Sequence, residues 1–226
     1  AMFDGEFGLR LRKCMERRGV AFYGGEKVIE IVGEGGSAKA VRTDARTIPC
    51  DMALLSVGVR PNTALARDAG LELGSRGAIV VDSHMRTSDP YIYAGGDCVE
   101  TVNALTGKRV WQPMGSTANR QGRVIADAIA GLPSTFKGVQ GTGILRFFEL
   151  TAGKTGLSDA EARDAGFDPV GVTVVGGDIP HFMPGAGSLT MRLSCDRASR
   201  RVLGLQILGT GKADKRLDAA VTAIAG

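Results

Sequence analysis

Aromatic side chains are scarce in this sequence: one Trp, three Tyr and eight Phe among 226 residues. So few flat rings leave no stacking platform for single-stranded nucleic acid. Basic residues outnumber acidic ones only by 28 to 24, a net charge of +4. They fall in short clusters (Arg10–Lys13, Arg17-Arg18, Arg200-Arg201) that read as solvated helix faces or turns. No nucleic-acid partner is expected; salt-sensitive DNA binding would be the mark of the opposite reading. No stretch reaches the roughly 18 apolar residues of a membrane helix, and the first residues carry no signal-peptide core. No membrane partner is expected either. Cys14, Cys50, Cys98 and Cys195 are scattered, without a C-x-x-C pair. That argues against a zinc site or a paired redox centre and fits buried thiols in a reducing cytoplasm. No G-x-G-x-x-G opens a βαβ unit, so no phosphate-cradling fingerprint for a dinucleotide is encoded.

What is present is enough to fold. The chain is 43% hydrophobic and 23% charged, with mean hydropathy +0.03, which suits a packed core rather than disorder. Its 33 glycines suggest α/β turns and close backbone approaches. Residues 7–18 predict an amphipathic helix with Phe7, Leu9, Leu11 and Met15, closed by Gly19. A short strand is expected at Val20–Tyr23. Lys27–Val32 and Ala38–Arg42 flank Gly33–Gly36 as a hairpin. Asp51–Val57 is an apolar run that reads as a central parallel strand buried on both faces, ending in Gly58-Val59-Arg60-Pro61-Asn62.

A short helix is expected at Thr63–Ala69, a strand at Gly77–Asp82 and another at Tyr91–Ala94. The latter delivers the chain to Gly95, Gly96 and the carboxylate of Asp97, at a strand's carboxyl end where ligands bind in open α/β sheets. Val99–Arg109 reads as a loop, with a helix over Ser116–Ala130 capped by Ser116 or Thr117. Its first turn carries unpaired N–H groups and a partial positive charge. Beyond Ser134, strands are expected at Ile144–Leu150, Val170–Val175, Ser188–Cys195 and Val202–Leu208, with helices at Asp159–Ala165 and Lys212–Ala225. That order gives an antiparallel sheet with helices on one side, an α+β module. His84 reads as solvated and His181 as part of a packed loop; Cys98 reads as a structural thiol. No metal site and no catalytic side chain are assigned.

Several strings carry a resemblance. T-S-D-P-Y-I-Y-A-G-G-D (Thr87–Asp97) resembles the second FAD fingerprint of the pyridine nucleotide-disulfide oxidoreductases. D-M-A-L-L-S-V-G-V-R-P-N (Asp51–Asn62) resembles the closing segment of their NAD(P)H-binding domain, in the family's order. W-Q-P-M-G-S-T-A-N-R-Q-G-R (Trp111–Arg123) is similar to the P-L-A-x-x-A-N-x-Q-G-R segment, with Met114 and Gly115 in place of Leu and Ala. G-T-G-I-L-R-F-F, T-G-L-S-D-A-E-A, L-G-L-Q-I-L-G and K-R-L-D resemble the dimerisation domain of the branch with CoA-disulfide reductases and NADH oxidases.

The resemblance implies partial, three-layer FAD- and NAD(P)-binding segments followed by an α+β dimerisation domain. It places the carboxyl side of the NAD(P)H domain at 1–62, the second FAD segment at 63–131 and the dimerisation domain at 132–226. It assigns Gly96 and Asp97 to the flavin's ribityl chain, Pro113, Met114, Gly115 and Thr117 to its ring, and Gly58 and Val59 to the nicotinamide side. It implies a homodimeric cytoplasmic enzyme passing a hydride from NAD(P)H through FAD to a small-molecule disulfide (CoA disulfide, polysulfide) or to oxygen or peroxide. The 226 residues read as a carboxyl-side fragment of it, inactive alone and binding neither cofactor tightly. The alternative reading is a non-catalytic homodimerisation module.

Overall fold

The computed structural model describes residues 2–226. The chain divides into two compact units: Leu9–Arg60, and the residues up to Gly8 together with Pro61–Gly226. Helix α1 (Gly5–Arg17) buries Phe7 and Cys14, one stripe at helical spacing. Leu9 lies off that stripe and is exposed. Gly19, at φ +75°, takes the left-handed conformation beyond the helix end, while Val20 N–H closes back on Met15 C=O at 3.0 Å.

In the smaller unit, β1 (Val28–Glu34), β2 (Ser37–Thr43) and β3 (Thr47–Pro49) form an antiparallel sheet in that order. Gly35 and Gly36 have φ of +58° and +79°. Positive φ at both central residues is what a two-residue hairpin turn of the twisted kind requires. The strand expected at Val20–Tyr23 does not form. Those residues instead offer ring faces to cations: Arg12 lies 5.6 Å from the Phe22 centroid and Arg46 lies 4.3 Å from that of Tyr23. The central parallel strand expected at Asp51–Val57 is absent as well. The segment is irregular, and Met52, Leu54 and Val57 are more than four-fifths exposed. A strand exists only by pairing, and no described strand of this unit lies beyond β3 to pair with the run.

The larger unit begins with α2 (Ala64–Asp68), preceded by Thr63, whose hydroxyl donates to Gly77 C=O at 2.7 Å rather than capping the helix, and followed by Gly70 at φ +71°. Residues 71–100 are mostly irregular. Gly77–Asp82 and Tyr91–Ala94, expected as strands, make only isolated bridges: Leu73 to Ile79, Ile79 to Val99 and Arg86 to Tyr93. The turn chemistry of Thr87–Asp89 takes over instead. Asp89 Oδ1 accepts Tyr91 N–H at 2.8 Å, and Thr87 N–H reaches Ile92 C=O at 2.9 Å. A core of Ala66, Ile79, Val81, Met85, Val99 and Val124 holds this irregular chain against α3 (Gly115–Ile129). The expected loop at Val99–Arg109 contains a small hairpin, β4 (Thr101–Val102) with β5 (Arg109–Val110).

Next come β6 (Gly143–Phe147), β7 (Leu150–Gly156), α4 (Asp159–Asp164), β8 (Pro169–Gly177), β9 (Ser188–Asp196), β10 (Val202–Gly209) and α5 (Asp214–Ala225). The single strand expected at Ile144–Leu150 is thus two, reversing at Phe148, whose φ is +54°. The five strands form one antiparallel sheet in the order β6-β7-β10-β9-β8. The fold is mixed helix and antiparallel sheet, as expected for this part of the chain.

The two faces of this sheet differ. Leu189, Leu205 and Ile207 pack under Leu217 and Ala220 of α5. Burying each such side chain contributes about 1.5–3 kcal/mol. The alternating residues form a polar row straight across the strands, Gly143, Lys154, Gln206, Arg192 and Thr173. Arg192 holds Asp159 Oδ2 at 2.6 Å, and Ser194 Oγ donates to the same carboxylate. Lys154 pairs with Glu161, which also completes a capping box with Ser158. Asp4 accepts from Gln206 Nε2 and from Asp159 N–H. The first turn of α4 is therefore held by this polar row, while Ala162 of the same helix packs with Leu203 and with Ile224 of α5. Both acids respond. Burial raises the Asp159 pKa, but hydrogen bonds from Ser194 and Arg192 and the nearby cations outweigh it, and the group ends below its usual range. Glu161 follows the same pattern, its burial outweighed by Lys154 and Ser158.

Candidate cofactor site

Gly95 and Gly96 meet α3 along one helix face. A Cβ built on Gly95 would lie 2.9 Å from Ile125 Cδ1 and 3.4 Å from Gln121 Cβ, and one on Gly96 would lie 3.7 Å from Ala118 Cβ. Positions 118, 121 and 125 share a face at helical spacing, so the two glycines let backbone and helix approach. Gly96 sits at φ +88°, a conformation that side chains other than glycine adopt with strain. Its N–H donates to Gln121 Oε1 at 2.8 Å, and Gln121 is only 1% exposed. This buried amide fixes where the backbone leaves the turn.

Asp97 comes next. Its carbonyl accepts Trp111 Nε1–H at 2.8 Å, while its carboxylate is exposed and has no partner among the described residues. Cys98 Sγ is 3.4 Å from Gly95 C=O, the half-buried packing role expected of it. Ile79 N–H to Cys98 C=O at 2.8 Å anchors the segment to the core.

The helix opens one residue earlier than expected, at Gly115, with Met114 as the extended N-cap and no side-chain cap. Neither Ser116 nor Thr117 caps it; both already lie in helical backbone. The consequence is chemical. The first intrahelical bond is Ala118 N–H to Met114 C=O at 2.9 Å, which leaves the N–H groups of 115, 116 and 117 without acceptors among the described residues. A helix start of this kind stabilises negative charge brought to it. Pro113 and Met114 are half-buried before it, and Gln112 Nε2 lies 3.6 Å from Met114 Sδ.

The structure thus brings Gly96, Asp97, Met114, Gly115 and Thr117 to one corner of the larger unit. Gly58, at φ +87° with open space around its Cβ position, and exposed Val59 belong to the smaller unit. Sequence reasoning passed over Gln121 and Trp111. Gln121 was legible as the residue between Ala118 and Ile125 on one helix face; Trp111 carried no such periodic signal. His84, expected to be solvated, is half-buried with Nδ1 3.0 Å from Ser134 C=O. The loop with His181 is open rather than packed, Phe182 being 78% exposed and stacked edge-on against the imidazole. Among the described residues no three His, Cys, Asp or Glu side chains gather to hold a metal ion.

Comparison with known proteins decides the family. The profile of the pyridine nucleotide-disulphide oxidoreductases matches residues 1–122, over half the chain. The chain belongs to this family. It is 34% identical over 195 residues to an NAD(P)H sulfur oxidoreductase (CoA-dependent) of Pyrococcus furiosus, covering 86% of this chain and 42% of that one. An NADH oxidase of Methanocaldococcus jannaschii is 32% identical over 214 residues, 95% of this chain and 47% of the relative. Among solved structures, an NAD-dependent persulfide reductase from A. fulgidus superposes with a TM-score of 0.95 at 38% identity, over 100% of this chain and 42% of that one. The chain therefore spans less than half the length of these relatives.

The residues present fit one part of a flavin. A left-handed glycine turn closed on α3, an unpartnered exposed carboxylate and an uncapped helix start match the hydroxyl groups and the charge-accepting ring of FAD. No helix among the described residues is long and apolar enough to cross a membrane.

Proposed function

We propose that this chain supplies one side of the flavin site, and most of the subunit-pairing module, of a cytoplasmic NAD(P)H-dependent flavoprotein that reduces a small sulfur acceptor. The observation that carries it is the corner just described, Gly96-Asp97 packed on an uncapped helix start. FAD, when bound, would supply a ring that takes a hydride from NAD(P)H and passes electrons on. Asp97 accepts hydrogen bonds from the ribityl hydroxyls. The N–H groups of Gly115–Thr117 hold negative charge on the ring, Pro113 and Met114 exclude water beside it, and Gly58-Val59 serves the nicotinamide side. A disulfide or persulfide acceptor is favoured over oxygen or peroxide because the sulfur-reducing relatives combine higher identity with the 0.95 superposition.

Residues 1–62 are assigned to the NAD(P)H-binding side, 63–131 to the FAD segment and 132–226 to dimerisation. Because the 226 residues encode no phosphate-cradling glycine loop for either cofactor, the chain alone binds FAD weakly and turns over nothing. Titration with FAD tests this: weak binding, lost in Asp97→Ala and unchanged in Asp218→Ala, supports the site. Equal binding by wild type and Asp97→Ala contradicts it, and NADH consumption in the presence of FAD would overturn the inactivity.

A second reading, a pairing module without catalysis, has its own support. Edge strand β8 exposes Val170, Val172, Val174 and Val175, with Phe182 and Met183 beyond it. Open apolar edges of this size seek partners. Sedimentation equilibrium showing a dimer supports the pairing role; a monomer at all concentrations removes it.

A further inference from the structure

We infer that Trp111 is a positioning residue of the cofactor corner: its indole sets where the Asp97 carboxylate stands relative to the start of α3. This role rests on the flavin reading above, and Trp111 acts through Asp97 rather than on the cofactor. The Asp97 carboxylate is exposed and has no partner among the described residues, so no other side chain steers it directly. Its direction follows from the backbone that carries it. That backbone is held peptide by peptide. Gly96 N–H donates to Gln121 Oε1 at 2.8 Å, Val99 N–H closes on Gly96 C=O at 3.3 Å, and Cys98 C=O accepts Ile79 N–H at 2.8 Å. The carbonyl of Asp97 itself accepts Trp111 Nε1–H at 2.8 Å.

The origin of the indole gives that one bond its reach. Trp111 directly follows β5, whose Val110 pairs with Thr101 of β4, and it stands four residues before Gly115, where α3 opens. The bond therefore ties together the two halves of the corner. One is the carboxylate assigned to the ribityl hydroxyls; the other is the set of N–H groups at 115–117 assigned to the ring. Gln121 reaches the same turn from the second turn of α3, so the turn is fixed from the helix body and from the lead-in at once. An indole N–H only donates, and a half-buried indole on two side-chain torsions is a stiff arm. Binding constellations tolerate only about 0.5 Å of misplacement, which is the scale on which such an arm acts.

The test compares riboflavin with lumiflavin, which has the same ring and no ribityl chain, by flavin fluorescence anisotropy on the 226-residue chain. Trp111→Phe keeps an aromatic ring and removes the N–H. It is expected to weaken riboflavin about three- to tenfold, the worth of one hydrogen bond, and to leave lumiflavin unchanged. A merely structural role moves both ligands alike or neither, and either result overturns the inference. Asp97→Ala separates the two readings. If it weakens riboflavin and Trp111→Phe does not, the positioning role falls and the flavin reading stands. If Asp97→Ala leaves riboflavin affinity unchanged, or the wild-type chain binds no riboflavin, the flavin reading falls and takes the positioning role with it.

Discussion

Two apolar runs in this protein read alike in sequence and meet opposite fates. Val202–Gly209 (V-L-G-L-Q-I-L-G) is β10, flanked by β7 and β9, with Leu203 and Ile207 fully buried. Asp51–Gly58 (D-M-A-L-L-S-V-G) has no paired neighbour among the described residues and leaves Leu54 and Val57 each 89% exposed. The difference lies in the neighbours and not in the runs. A strand's hydrogen bonds and side-chain contacts are both supplied from outside it, so apolar composition states a need for burial without guaranteeing it.

The comparison can be broken first at Ile207. Ile207→Ala removes a side chain packed under α5 and should cost about 2–5 kcal/mol, read as a lower denaturation midpoint; a loss no larger than that of Leu54→Ala would contradict the account. Arg192→Ala comes next. It strips two charge-assisted bonds from the largely buried Asp159 and should cost about 1.5–3 kcal/mol.

The same group makes a pH prediction. Asp159 and Glu161 titrate below their ordinary values in the folded chain, so they add stability above those values and lose it as pH falls through the lowered ones. Wild type should therefore lose stability steeply below roughly pH 4. Arg192→Ala, with less to lose, should show a shallower fall on acid titration followed by circular dichroism. Gly96→Ala should cost about 1–2 kcal/mol from backbone strain alone, since its Cβ would meet only ordinary contact with Ala118. Leu54→Ala should change stability by no more than about 0.5 kcal/mol.

Legibility followed the same division. The β1–β2 hairpin was readable because Gly35-Gly36 carries its own turn requirement. The helices α4 and α5 were readable because helical spacing is a local signal. Strand β7 was not, because T-A-G-K-T-G shows no alternation; its glycines sit there because Leu217 and Ile207 press within about 3 Å of where a Cβ on Gly153 would be. Tyr91–Ala94 misled because its short apolar run was overridden by the Thr87–Asp89 turn. In the cofactor corner, Gly96 and Asp97 were legible as a strand-end signal. The helix start was misplaced by one residue because Ser116 has a capping side chain and Met114 has none, yet packing chose Met114.

Amide hydrogen exchange on the intact chain tests the contrast most directly. The account predicts that amides of 202–209 exchange at the slow rate of global unfolding, while those of 51–59 exchange at nearly the rate of unstructured peptide. Protection of 51–59 comparable to that of 202–209 would show that the run has found a partner within this chain, and would contradict the account.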